Sequence, residues 1–137
     1  MANIEIKRGQ QTQVDITYTP TGSSYATNFY TSDAQYTASL VIRKKSGTSV
    51  TGDVIDTLTS NTSGSAQHTS GRIRFPNIGS SSTSSNIMLR WETADAVKLP
   101  NETITVYGDL KITNTDEDPD EVIHSFRLTF DIIPEIV

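Results

Sequence analysis

The stretch Ile104-Thr105-Val106-Tyr107-Gly108-Asp109-Leu110-Lys111-Ile112, followed across an acidic run by Phe126-Arg127-Leu128-Thr129-Phe130-Asp131-Ile132, decides the fold class. In both segments apolar residues return at every second position, with polar or charged residues between them. A strand sends successive side chains to opposite faces, so period two marks a half-buried strand; a helix of this sequence would scatter its apolar groups all round. The run Asp116-Glu117-Asp118-Pro119-Asp120-Glu121 has turn chemistry and lets the chain reverse.

The same alternation extends back to the N-terminus. Ile4 and Ile6 flank Glu5 in a short strand that stops at Arg8-Gly9. Val14, Ile16 and Tyr18 form a second strand that ends on Pro20-Thr21-Gly22. Tyr36, Ala38, Leu40 and Ile42 give a third strand, Val54 to Thr59 a weaker fourth, and Ile73 and Phe75 a fifth. Ile87, Leu89 and Trp91 share one face of a sixth. Thr93 to Leu99 has room for one helical turn before Pro100-Asn101. Ser23 to Gln35 reads as a loop packed by Tyr25, Phe29 and Tyr30, whereas Ser60 to Ser70 has linker composition and is expected to be mobile. About eight short strands at this spacing predict an all-β fold, an antiparallel β-sandwich, over a single domain spanning residues 1–137. Leu40, Ile42, Leu89, Trp91, Val106, Leu110, Phe126, Leu128 and Phe130 are the expected core.

Composition agrees. The chain has 137 residues, 34% of them hydrophobic, and Ser with Thr make up about a quarter. Thr is β-branched and suits the exposed face of a thin sheet better than a helix bundle. With a net charge of −5 the chain repels a phosphate backbone, and its one basic cluster, Arg43-Lys44-Lys45, reads as a solvated hairpin mouth; no nucleic-acid partner is expected. No apolar run approaches the ~20 residues that span a bilayer, so no membrane partner is expected either. There is no cysteine, and the segment from Met1 to Arg8 lacks the apolar region of a secretory signal. A cysteine-free, leaderless chain is expected to fold in a reducing compartment.

Four features together resemble a family of small phage virion domains, the Ig-like β-sandwiches related to the N-terminal domain of the baseplate upper protein. They are Ile4-Glu5-Ile6-Lys7-Arg8-Gly9-Gln10, Ala38-Ser39-Leu40-Val41-Ile42-Arg43-Lys44, the stretch from Ile87 to Leu99-Pro100, and Tyr107-Gly108-Asp109-Leu110. The chain departs from the family pattern at Gln10, where an acidic residue is common, and at Asn101, where Gly is common. The resemblance implies a non-enzymatic bacteriophage virion structural protein of the tail or baseplate, made in the host bacterial cytoplasm. Its partners would be other virion proteins in a symmetric assembly. A capsid decoration (cement) protein and a module binding a host-surface glycan or receptor are the alternatives.

The residues themselves supply little chemistry. Without cysteine, thiol catalysis and thiolate–metal sites are excluded. His68 sits in the Ser/Thr-rich loop and reads as solvated; His124 shares the parity of Phe126 and reads as a half-buried sheet residue. Asp116, Asp118 and Asp120 alternate as calcium ligands do, but the loop lacks a central Gly, and Arg127 stands where a closing Glu is needed. No catalytic, cofactor or metal residue is therefore assigned. Trp91 reads as a core residue, while Tyr107 and the Tyr25/Phe29/Tyr30 loop are the aromatic candidates for partner contact.

Overall fold

The computed structural model describes residues 4–18, 29–30, 35–44, 54–62, 66–78, 85–115 and 121–134, with the backbone alone for 121–124. Among the described residues eight strands form in order: β1 (Ile4–Lys7), β2 (Thr12–Ile16), β3 (Tyr36–Lys44), β4 (Val54–Thr59), β5 (Ile73–Arg74), β6 (Ile87–Trp91), β7 (Ile104–Asn114) and β8 (Glu121–Ile133). One short helix, α1 (Thr93–Ala96), links β6 to β7, where the sequence predicts a single turn. Its entry is fixed by Asp95, whose carboxylate accepts the Glu92 N–H at 3.2 Å.

The strands make two sheets, one ordered β1-β8-β7-β3-β4 and the other β2-β6-β5. Their inward faces meet in one core, so the chain is the expected all-β sandwich. Among the described strands pairing is antiparallel except that β1 lies parallel to the end of β8, with Ile4 opposite Phe130 and Ile6 opposite Ile132. A four-residue strand carries no local sign of its partner's direction. Gly9, with φ of 81°, ends β1 in a conformation open to glycine and turns the chain toward the other sheet.

Leu40, Ile42, Leu89, Trp91, Val106, Leu110 and Phe130 are buried, as their parity predicts. Phe126 and Leu128 are not; they face inward but stay half-buried. Gly108 is where β7 comes closest to its neighbours: a Cβ there would lie 2.8 Å from both Leu40 Cδ1 and Phe130 Cε2. Any larger residue at 108 would therefore have to displace the Leu40 or Phe130 side chain.

Candidate functional site

Polar side chains in this domain hold strands and loops together, and their distribution marks which surface is left for contact. On the long side where β4 approaches β5 and β6, Asp56 occupies an inward position of β4. Both its oxygens accept from Arg72, at 2.8 Å from Nη1 and 2.7 Å from Nη2, and its Oδ2 also accepts Trp91 Nε1–H at 3.0 Å. Asp56 Oδ1 further takes the Thr57 N–H at 2.9 Å, and Arg72 Nη1 lies 3.4 Å from the Thr57 carbonyl. Arg72 Nε faces Asp95 of α1 at 3.4 Å. Burial pushes the Asp56 carboxyl upward, but the hydrogen bonds and charge of Arg72, with Trp91 and Thr57, outweigh it and hold the group below the ordinary Asp value. This forked pair locks the two sheets and occupies the edge groups of β4 at Thr57. Ser60 seals the strand's end: its N–H donates to the Ala38 carbonyl, and its Oγ accepts the Ala38 N–H.

The loop-bearing end is pinned by two buried amides. Asn86 accepts the Tyr18 N–H at 2.9 Å and donates to the Tyr18 carbonyl at 2.7 Å, continuing the β2–β6 ladder with a side chain. Gln67, 0% exposed, donates to the carbonyls of Tyr36 and Asn61. Tyr18 and Tyr36 flank the long loop, so its two ends are fixed independently. The expectation that Ser60 to Ser70 is mobile is corrected for residues 66–70, which form a turn held against Phe75 by its N–H bond to the Gln67 carbonyl. His68 is likewise not a solvated histidine: it is half-buried, with its ring 4.6 Å from that of Tyr30.

Phe29 also departs from its expected role as a contact aromatic. It is 1% exposed and packs against Tyr36 and Phe75, because the loop needs an apolar anchor more than the surface needs a ring. Tyr107 is half-buried on the outer face of the five-stranded sheet, near the Arg127–Asp109 pair at 2.9 Å. Of the basic cluster, Lys44 pairs with Glu102 at 3.4 Å. Tyr25, Asp116, Asp118, Asp120 and the His124 side chain lie outside the described residues. Among the described residues no group of three or more His, Asp or Glu gathers.

The opposite long side is built differently. There β8 faces β2, and the closure is one aromatic stack, Tyr18 on Phe126, with centroids 4.6 Å apart and planes 9° apart. Phe126 and Leu128 of β8, with Val14 and Ile16 of β2 and Tyr18 just beyond it, are all core-packed yet only partly covered. The cause is topological: β1 covers only Phe130 to Ile133, so among the described residues the outer edge of β8 from 121 to 129 has no neighbouring strand. Asn86, Gln67, Asp56 and Arg72 were not singled out from the sequence. Asp56 carried the one available signal, a charged residue in the inward parity of Leu58.

No family model matches the chain, and no curated protein matches it. Among solved structures, one similar chain is that of the NK cell receptor Nkp44, described as a triggering partner in natural cytotoxicity. It is 16% identical, with a TM-score of 0.38, covering 96% of this chain and 99% of that one.

Proposed function

We propose that this domain is a non-enzymatic structural subunit of a bacteriophage virion, of the tail or baseplate, acting through symmetric contacts with other virion proteins. The observation that carries the reading is that the stretches resembling the phage domains pack on one another. Arg8, from the first, donates through Nε to the carbonyl of Leu99, at the Leu-Pro step of the third, at 2.9 Å. Gly108, from the fourth, lies against Leu40 of the second. Features scattered along the sequence thus form one connected framework, which is what a shared scaffold requires. The side-chain hydrogen bonds of Asp56, Arg72, Asn86 and Gln67 tie strands and loops of this framework together, which suits a subunit whose function lies in shape and surface.

The test is to search purified phage particles from the source for this chain by mass spectrometry and to locate it by labelled electron microscopy. A fixed copy number within a symmetric part of the tail or baseplate is the expected result. A capsid lattice position would favour a cement protein, and a solitary position at a distal tip a receptor- or glycan-binding module. Absence from the particle would overturn the virion reading.

A further inference from the structure

We infer that the uncovered edge of β8 is a self-association surface, at which a second copy pairs its own β8 antiparallel about a twofold axis at Phe126. This rests on the assembly reading above and names its surface and partner. Three observations converge on the edge. Strand β8 runs from Glu121 to Ile133, yet β1 flanks only its last four residues. The inward side chains on the stretch without a described neighbour, Phe126 and Leu128, are only partly buried, whereas Phe130 and Ile132, paired beside β1, are 0% exposed. The facing strand β2 repeats the pattern, with Val14 and Ile16, and Tyr18 just past its end, all partly covered. Among the described residues no strand lies beside these backbone groups, and with unfinished apolar burial next to them these are the conditions under which strand addition is favourable.

The second copy is favoured because the edge is complementary to itself in one register. Antiparallel pairs face the same side of a sheet, so a twofold axis passes through a residue. An axis at Arg127 sets two guanidinium groups against each other, and one at Ser125 centres the pairing nearer the bulge, where Ile112 pairs with His124 and Thr113 with Val122. An axis at Phe126 sets Ser125 of one copy opposite Arg127 of the other, twice, on the exposed face. It also brings the two Phe126 rings together on the inner face, each backed by its own Tyr18. Residues 124–128 then pair without reaching β1, which starts opposite Phe130. Such an interface is smaller than the ~1,600 Å² of a standard one, so the dimer forms with a dissociation constant on the order of micromolar or weaker. A symmetric particle raises the local concentration to match.

Opposite charges placed at one position test the register. Ser125 is exposed and faces Arg127 of the second copy only if the axis is at Phe126. Sedimentation equilibrium of the purified protein up to about 1 mM should give a monomer–dimer equilibrium. Ser125→Glu should tighten it and Ser125→Lys loosen it, each by about tenfold, since two symmetric charge pairs change together. Net charge alone predicts the reverse, because the chain is already at −5. Ser125 lies opposite Lys111 on β7, so each variant's melting temperature as a dilute monomer is measured alongside to remove the effect within one chain. A wild-type protein that stays monomeric, or variants that shift dimerisation in the net-charge direction, would overturn the inference and leave the edge to another polypeptide. A dimer that responds as expected in a protein absent from phage particles would instead sink the virion reading and leave the dimer standing.

Discussion

The two long sides of the sandwich solve the same problem by opposite means. Where β4 meets β5 and β6, a forked ion pair, an indole N–H and a backbone N–H converge on one carboxylate, Asp56. Where β8 meets β2, a flat stack of Tyr18 on Phe126 does the work, and its apolar neighbours stay half-covered. Hydrogen-bonded charge pairs are strict about angle and distance, so the first side has one geometry and no edge to offer at Thr57. Apolar contact is non-directional and roughly proportional to area, so the second side still gains from any surface that covers it. The two sides therefore differ in what fixes them: directional hydrogen bonds on one, apolar contact that is still incomplete on the other.

The largest expected effect sharpens this contrast within a single strand. Phe126 and Phe130 share parity on β8, but only Phe130 lies beneath β1, where it also meets Trp91 at 5.8 Å. Phe130→Ala is expected to cost about 3–5 kcal/mol, as for a fully buried ring. Phe126→Ala, measured on dilute monomer by urea unfolding, should cost about half of that or less, since its ring is already partly in water. Equal losses would mean that the β8–β2 side is as closed as the other.

Breaking the polar lock ranks next. Arg72→Met keeps the apolar stem but leaves Asp56 in a partly buried site with Trp91 and Thr57 as its remaining donors. Full burial of an orphaned charge costs about 3–5 kcal/mol; with side-chain exposures of 25% for Arg72 and 16% for Asp56, about 2–4 kcal/mol is expected. A double change, Asp56→Leu with Arg72→Met, should recover part of the loss, because it removes both charges. Recovery measured by chemical denaturation separates a charge left unpaired from a hole left unfilled.

What the sequence made legible follows from how local each signal is. Strands β3, β6 and β7 announce themselves through apolar alternation, and their inward residues are buried as expected. Parity fixes which face a side chain takes, but not whether a neighbouring strand covers it. Phe126 and Leu128 were therefore given the right face and the wrong depth. That depth depends on β1, which lies more than a hundred residues away in sequence and pairs parallel. Asn86 and Gln67 were illegible for another reason: both sit within or beside Ser-rich stretches, and only the fold shows that their amides meet the carbonyls of Tyr18 and Tyr36. For His68 the Ser/Thr-rich composition points to an exposed loop, whereas the Tyr30 ring lies against it.

A smaller effect tests how tightly the sheet between the two sides is packed. Gly108→Ala places a methyl 2.8 Å from Leu40 Cδ1 and Phe130 Cε2, closer than carbon atoms approach. Both neighbours are buried side chains, so relief requires rotamer shifts within a close-packed core. A loss of about 1–3 kcal/mol is expected. A neutral substitution in thermal unfolding would show that Leu40 and Phe130 have room to retreat toward the β8–β2 side.

The smallest expected effect is the pH dependence of the locked side, and its sign is fixed by Asp56. Arg72 holds the folded-state carboxyl below the ordinary Asp value of 3.8 against the opposing pull of burial, so the folded protein binds this proton more weakly than the unfolded chain does. Stability rises with pH wherever the unfolded state binds more protons. The contribution of Asp56 is therefore fully present above the unfolded value, from about pH 5 upward, and is lost as pH falls through the lower folded value. Acid acts on every carboxylate at once, so the informative quantity is a difference. The melting temperature of the wild type minus that of Asp56→Asn should be positive and constant between about pH 5 and 8, then shrink below pH 4. Asn carries no charge and does not titrate, but it keeps a carbonyl oxygen for Trp91 Nε1–H or Thr57 N–H, so the plateau reports mainly the ionic part of the contact with Arg72. A difference that grew toward acid would mean that burial, and not Arg72, governs the Asp56 carboxyl, and the polar side would then be held by hydrogen bonds to a neutral acid.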